Sequence, residues 1–148
     1  MSNGVTRDDI KYRYNDIENK MIKKLESKGI EVLNFGTDTN DSMDYPDAIH
    51  PVAHSVENGE ANYGIIICGS GNGAQMTANK HQGVRAGLVW NNELTALIRQ
   101  HNNANVLAIP ARFVSLQQAL NFVDIFLNTD FEGGRHQDRI EKIPTKCC

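Results

Sequence analysis

Cysteine is scarce in this chain, three residues of 148, with Cys147 and Cys148 adjacent at its end. An odd, unevenly placed set makes no disulfide framework, so a reducing cytosol is the expected setting. A basic excess is also missing, since 15 Lys and Arg stand against 18 Asp and Glu, a net charge of -3. No field favours nucleic acid or an anionic membrane, so neither is expected as a partner, and any bound anion must be met by local groups. No apolar run approaches the roughly 18 residues of a membrane span. The stretch from Met1 to Tyr14 has neither the apolar core of a signal peptide nor an Arg-rich amphipathic pattern. Internal repeats, linkers and low-complexity segments are lacking as well.

What remains is ordinary globular material, 40% hydrophobic and 22% charged. It is expected to form one domain over residues 1–148, able to bury a core and to bury more by pairing with another subunit. Short apolar runs alternate with helical periodicity, the pattern of an α/β domain with a parallel sheet. Four strands are predicted: Ile30 to Phe35, Gly64 to Cys68, Val84 to Val89 and Asn105 to Ile109. Helices are predicted before Gly29, where Ile17, Met21, Ile22 and Leu25 recur at helical spacing, and from Pro46 to Gly59. Three more follow around Gly73 to Lys80, from Asn92 to Asn102, and from Ser115, a good N-cap. The resulting order, α-β-α-β-α-β-α-β-α, winds into a Rossmann-like three-layer α/β/α sandwich, with ligands outside the C-terminal strand ends. The opening stretch, residues 1–14, is too polar for a central strand and is expected to be irregular, and residues 145–148 to form a tail.

The segment Ile65-Ile66-Ile67-Cys68-Gly69-Ser70-Gly71-Asn72-Gly73-Ala74 carries the chemistry. A buried strand ends in a thiol, three alternate glycines follow and a helix begins, so backbone N–H groups converge where an anion can sit. No Lys-Ser/Thr follows the last glycine, which excludes a Walker A loop. Gly69, Gly71 and Ala74 fit the loose dinucleotide pattern, but Trp90-Asn91-Asn92 stands where a ribose-binding acid belongs. A cysteine facing a helix N-terminus suits a nucleophile or general base. The plain alternative for Cys68 is a small buried residue closing a strand.

His101-Asn102 closes a helix just before a strand, and Arg112 follows that strand on the ligand side. Arg135 and Arg139 are four apart, so on a helix both guanidinium groups share a face and can clamp a phosphate. Each has a plain alternative: a helix-end histidine on the dipole, or surface arginines paired with Asp138 or Glu141. Together with the glycine loop they point to a phosphorylated substrate whose chemistry passes through an anion.

From about Ile17 to Pro144 the chain resembles the ribose-5-phosphate isomerase B family, related to the galactose-6-phosphate isomerase subunits. The landmarks are Asp44-Tyr45-Pro46, Cys68-Gly69-Ser70-Gly71-Asn72-Gly73, Ala78-Asn79-Lys80, Gly83-Val84-Arg85-Ala86, His101-Asn102-Asn103-Ala104-Asn105 and Phe131-Glu132-Gly133-Gly134-Arg135-His136-Gln137. The resemblance implies a cofactor-free, metal-free aldose-ketose isomerase that interconverts ribose 5-phosphate and ribulose 5-phosphate in the non-oxidative pentose phosphate branch, in the cytoplasm. It implies Cys68 as the base at C2. The N–H groups of Gly69, Ser70, Gly71, Asn72 and Gly73 would hold the enediolate, with Ser70 relaying protons. It further implies His101 in ring opening, Tyr45 and Asn102 on the sugar, and Arg112, Arg135 and Arg139 on the phosphate. Sites are shared between subunits of a homodimer or dimer of dimers. Some relatives carry a Glu base after the last loop glycine; Ala74 stands there, which leaves the work to Cys68.

The departure is at the start. The family opens on a strand ending in an Asp-His-x-Gly-like motif, whereas this chain has no His before His50 and has Lys11 and Tyr12 near those places. The first strand is therefore expected to be missing or altered. The alternative to an active isomerase is then a catalytically impaired sugar-phosphate binder, or a galactose or allose 6-phosphate isomerase-type subunit.

Overall fold

The computed structural model describes residues 8–36 and 44–145, with side chains from Asn15 onward in the first helix. Helices α1 (Asp8–Ser27) and α2 (Tyr45–Glu57) precede β1 (Gly64–Cys68), then α3 (Asn72–Ala78), β2 (Ala86–Leu88), α4 (Asn92–Gln100), β3 (Val106–Pro110), α5 (Leu116–Asn128) and α6 (Arg135–Ile140). The three strands form a parallel sheet in the order β1-β3-β2. Being central, β3 is buried at every residue, which is why it reads as an unbroken apolar run.

Side-chain alternation along the strands divides the core into two layers. Ile66, Val106 and Ala108 face α2 and α3, where they meet Ile49, Ala53 and Ala74. Ile67, Leu107 and Ile109 face the opposite way, toward Ile17 and Met21 of α1 and Phe122, Val123 and Phe126 of α5. This is the expected α/β/α sandwich. Local signals set the helix ends: Ser115 and Gln118 form a reciprocal capping box at the start of α5. Asn91 caps α4 by accepting from the Leu94 N–H at 2.8 Å. No helix among the described residues is long and apolar enough to cross a membrane.

Three expectations are corrected. Ile30 to Phe35 forms no strand: the segment is extended but has no ladder, and Leu33 is half exposed. An apolar alternation becomes a strand only where a neighbour supplies hydrogen bonds, and here a groove of about 610 Å³ separates the segment from β1. The element order consequently lacks that strand and gains α6. In the irregular stretch expected at residues 1–14, Met1 to Arg7 lie outside the described residues, and from Asp8 the backbone is already helical. The tail at 146–148, with Cys147 and Cys148, also lies outside them. Strand β2 is shorter than Val84 to Val89, although its flanks still bond to β3: Arg85 O accepts from Val106 N–H, and Val89 N–H donates to Ala108 O.

Two ion pairs to one carboxylate tie the end of the first helix to α5. Asp124 on α5 holds Lys24 and Lys28, the two ends of one turn at the C-terminus of α1, each at 2.6 Å. Burial alone pushes the Asp124 carboxyl up, but the lysine hydrogen bonds and charges outweigh it and hold its pKa below the usual carboxylate value. Its stabilising contribution is therefore present above the unfolded value of 3.8 and is lost as pH falls through the lower folded value. Asp124→Asn should lower the unfolding free energy at pH 7 by up to about 1 kcal/mol, discounted because the pair is part-exposed. Urea denaturation of both proteins should show that gap closing as the pH drops; a gap that persists in acid would contradict the assignment.

Candidate active site

At its C-terminal end β1 runs beside the end of β3, with Cys68 in register with Pro110. Beyond the strands the pairing continues: Ala111 N–H donates to the Cys68 carbonyl at 2.8 Å and Arg112 N–H to the Gly69 carbonyl at 3.1 Å. Arg112, exposed, is thus fixed beside the glycine loop. Cys68 is a free, half-buried cysteine on the α2/α3 side of the sheet. The chain then turns through Gly69 and Ser70, whose hydroxyl accepts from the Asn72 N–H at 3.3 Å, into α3.

Two of the loop glycines are required by space. Gly71 has a φ of +76°, and a Cβ there would collide with the Leu88 side chain. A Cβ on Gly73 would lie 2.6 Å from the Tyr45 hydroxyl, so Tyr45 from the start of α2 lies directly against the loop. Cys68, Gly69, Ser70, Gly71, Asn72, Gly73, Tyr45 and Arg112 therefore form one cluster. A glycine loop opening a helix, a free thiol and a neighbouring exposed arginine are groups that suit an anionic ligand.

The remaining expected residues form a second cluster at the other end of the sheet. His101 is the C-cap of α4 and precedes β3, whose five residues set the two sheet ends roughly 15 Å apart. Within one chain, His101 and Asn102 do not meet Cys68. They do meet the Glu132 to Arg139 segment: Glu132 N–H donates to the Gln100 carbonyl at 3.1 Å, and the His101 and His136 rings stack at 4.4 Å, 12° from parallel. Arg135 and Arg139 lie one turn apart on α6, both exposed, as the spacing predicts.

His136 and Glu132 lie inside a landmark motif but were not singled out by spacing; only the fold brings them onto His101. Glu132 Oε2 lies 3.9 Å from His101 Nε2 and 3.7 Å from His136 Nε2. These three residues place ligand atoms within 4.8 Å of one another, so they are the group among the described residues that could hold a metal ion. Desolvation first, then the neighbouring charges of His101 and Arg135, hold the His136 imidazole below its ordinary pKa, with Glu132 opposing. Another histidine chain stands apart from both clusters: His50 Nδ1 to His81 Nε2 at 2.8 Å, and His81 Nδ1 to Glu57 at 2.9 Å.

Two outcomes follow from this geometry. Gly71→Ala should cost about 1–2 kcal/mol of stability in denaturant unfolding, from the left-handed backbone and the Leu88 clash. In an NMR titration His136 should have a midpoint below 6.5. Arg135→Gln should raise that midpoint and Glu132→Gln should lower it further.

Comparison with known proteins adds an independent line. The sequence profile described as Ribose/Galactose Isomerase matches residues 5–143. The ribose-5-phosphate isomerase B of Escherichia coli (strain K12) is 41% identical over 127 residues, 86% of this chain and 85% of that protein. A ribose-5-phosphate isomerase B from Clostridium thermocellum superposes with a TM-score of 0.87 at 41% identity, covering 96% of this chain and 90% of that one. The enzyme of the same name from Mycoplasma genitalium, solved with bound ribulose-5-phosphate, gives 0.83 at 44% identity and covers 86% of each chain. Profile, sequence and fold agree over nearly the whole of the described structure, and on that evidence the chain belongs to the Ribose/Galactose Isomerase family.

Proposed function

We propose that the chain is an aldose-ketose isomerase acting on ribose 5-phosphate and ribulose 5-phosphate, with Cys68 as the general base. The observation that carries this reading is the free thiol at the mouth of the glycine loop, beside Tyr45 and Arg112. The names of the E. coli and M. genitalium relatives support the substrate class. The Cys68 thiolate takes the proton from C2 of the open-chain aldose. The electron pair moves into the C1–C2 bond and the carbonyl oxygen becomes an enediolate oxygen, held by the loop N–H groups of Gly69 to Gly73. Ser70 passes a proton between the two oxygens, and the thiol returns its proton to C1.

Ring opening, and the phosphate contacts other than that of Arg112, fall to the second cluster, which lies at the far end of the sheet within one chain. We assign them to a second copy of this chain, whose His101, Asn102, Arg135 and Arg139 would enter beside Cys68. Exposed apolar residues support such pairing: Trp90 and Phe113 follow β2 and β3 at the Cys68 end, at 53% and 71% exposure, and Met76 on α3 is 66% exposed. The galactose half of the family's description keeps a hexose 6-phosphate as the second substrate reading.

Cys68→Ala should reduce turnover of ribose 5-phosphate by about 10²–10⁴-fold, the usual worth of a positioned base. Turnover unaffected by that change would remove Cys68 from the role. His101→Ala should be equally poor alone, yet refolding the two variants together should restore about a quarter of wild-type activity, because each mixed dimer regains one intact site. Recovery absent from the mixture would place the whole reaction in one chain. Calorimetric binding of ribose 5-phosphate without turnover would identify a non-catalytic sugar-phosphate binder instead.

A further inference from the structure

Among the described residues, strand β1 is paired along one of its two edges. Gly64 N–H donates to the Asn105 carbonyl at 2.9 Å, and the Cys68 carbonyl accepts from Ala111 N–H at 2.8 Å. In a parallel ladder alternate residues bond to alternate sides, so Gly64, Ile66 and Cys68 turn their peptide groups toward β3. Ile65 and Ile67 turn theirs outward, and among the described residues nothing pairs with them. Ile67 is only 1% exposed. Buried peptide groups left without partners are costly, and native proteins pair nearly all of them.

Along this open edge runs the 610 Å³ groove, whose far wall is the extended, unladdered segment 30–35. Met21 of α1 and Leu127 of α5, from one core layer, and Val52 of α2, from the other, line it together with Val32, Leu33 and Ile65. The groove therefore lies in the plane of the sheet, between both helix layers, with hydrogen-bonding backbone on each flank. A helix is too wide to share a sheet plane, whereas a strand fits the spacing of neighbouring strands. An element buried on both faces at such a position is a near-continuous apolar run. The described chain has no spare run of that kind, since its apolar strands are already paired. Charge narrows the occupant further: Glu31 and Glu60 line the groove, while its lysine, Lys28, is held by Asp124 at 2.6 Å.

We propose that the groove is a strand-acceptor site, which binds one extended, apolar, β-branched segment of about five residues with basic flanks, supplied by another polypeptide. The segment pairs with the outward edge at Ile65 and Ile67 and with residues 30–35, so it extends the sheet from three strands to five. The proposal is independent of the isomerase reading.

The probe is the acetylated, amidated heptapeptide Lys-Val-Val-Ile-Val-Val-Lys, added to the full chain and followed by amide hydrogen exchange. Binding should slow exchange at Ile65 and Ile67 by at least about tenfold and raise the thermal midpoint. A control peptide with its second and fourth valines replaced by proline lacks two ladder donors and should give neither effect. Leu33→Lys, at a half-exposed position that leaves the core intact, should weaken the peptide by about tenfold through repulsion of its lysines. Slow exchange at Ile65 and Ile67 before any peptide is added would overturn the proposal, because the edge would already be covered by this chain or a second copy. Equal protection by the proline peptide, or none by either, would overturn it as well.

Discussion

The parallel pairing of β1 with β3 is the constraint on which the rest depends. It puts Cys68 opposite Pro110, and the two bonds that follow it, to Ala111 and Arg112, lock the first turn of the glycine loop to the chain leaving β3. Because β3 is buried along its whole length, neither strand can slide without moving a complete apolar row out of its layer. The position of the thiol relative to the loop N–H groups is thus a property of the core. Leu88, packed against Gly71, carries the same constraint from β2 into the loop.

The same sheet that gathers one half of the site separates the other half. Cys68 and His101 flank opposite ends of paired strands, so the helical connection that positions one excludes the other. A chemistry that needs both would call for two juxtaposed copies, and Arg135 and Arg139 on α6 are exposed. On the proposed reading each copy would carry two half-sites, and a small domain could then host a multi-step reaction.

Much of this was legible in the sequence where the signal was local. The bounds of β1 were readable residue for residue, as were the Ser115 cap, the start of α2 beside Pro46 and the Arg135–Arg139 face. Ile30 to Phe35 failed because its alternation satisfies the rule for a strand while the partner that would make it one is a non-local matter. His136 escaped notice for a related reason, since nothing in its spacing from His101 announces a ring stack formed by α6 folding over the end of α4. Motif residues also mixed roles. Asn79 and Asn105 look chemical, yet each spends its amide on backbone: Asn79 on both groups of Ala86, and Asn105 on Arg85 N–H and the Gly83 carbonyl.

One buried and one half-buried arginine hold the turn that carries His101 and Asn102. Arg99, 7% exposed, gives its guanidinium to the Thr129 and Ala104 carbonyls and the Asn103 side chain, and lies 5.3 Å from the Tyr63 ring centre. Arg85 reaches the Asn102 and Asn103 carbonyls; burial first, and then the Arg99 charge, hold its pKa below the ordinary guanidinium value. Two like charges brought this close are tolerable because the C-terminus of α4 is the negative end of a helix with unpaired carbonyls to satisfy. Those carbonyls in turn belong to the turn where Asn103 adopts a left-handed φ of 45°. The arginines therefore fix the turn that carries His101 and Asn102. A substitution at either would act on His101 and Asn102 through position, since the lost guanidinium bonds to carbonyls and an amide of the surrounding chain.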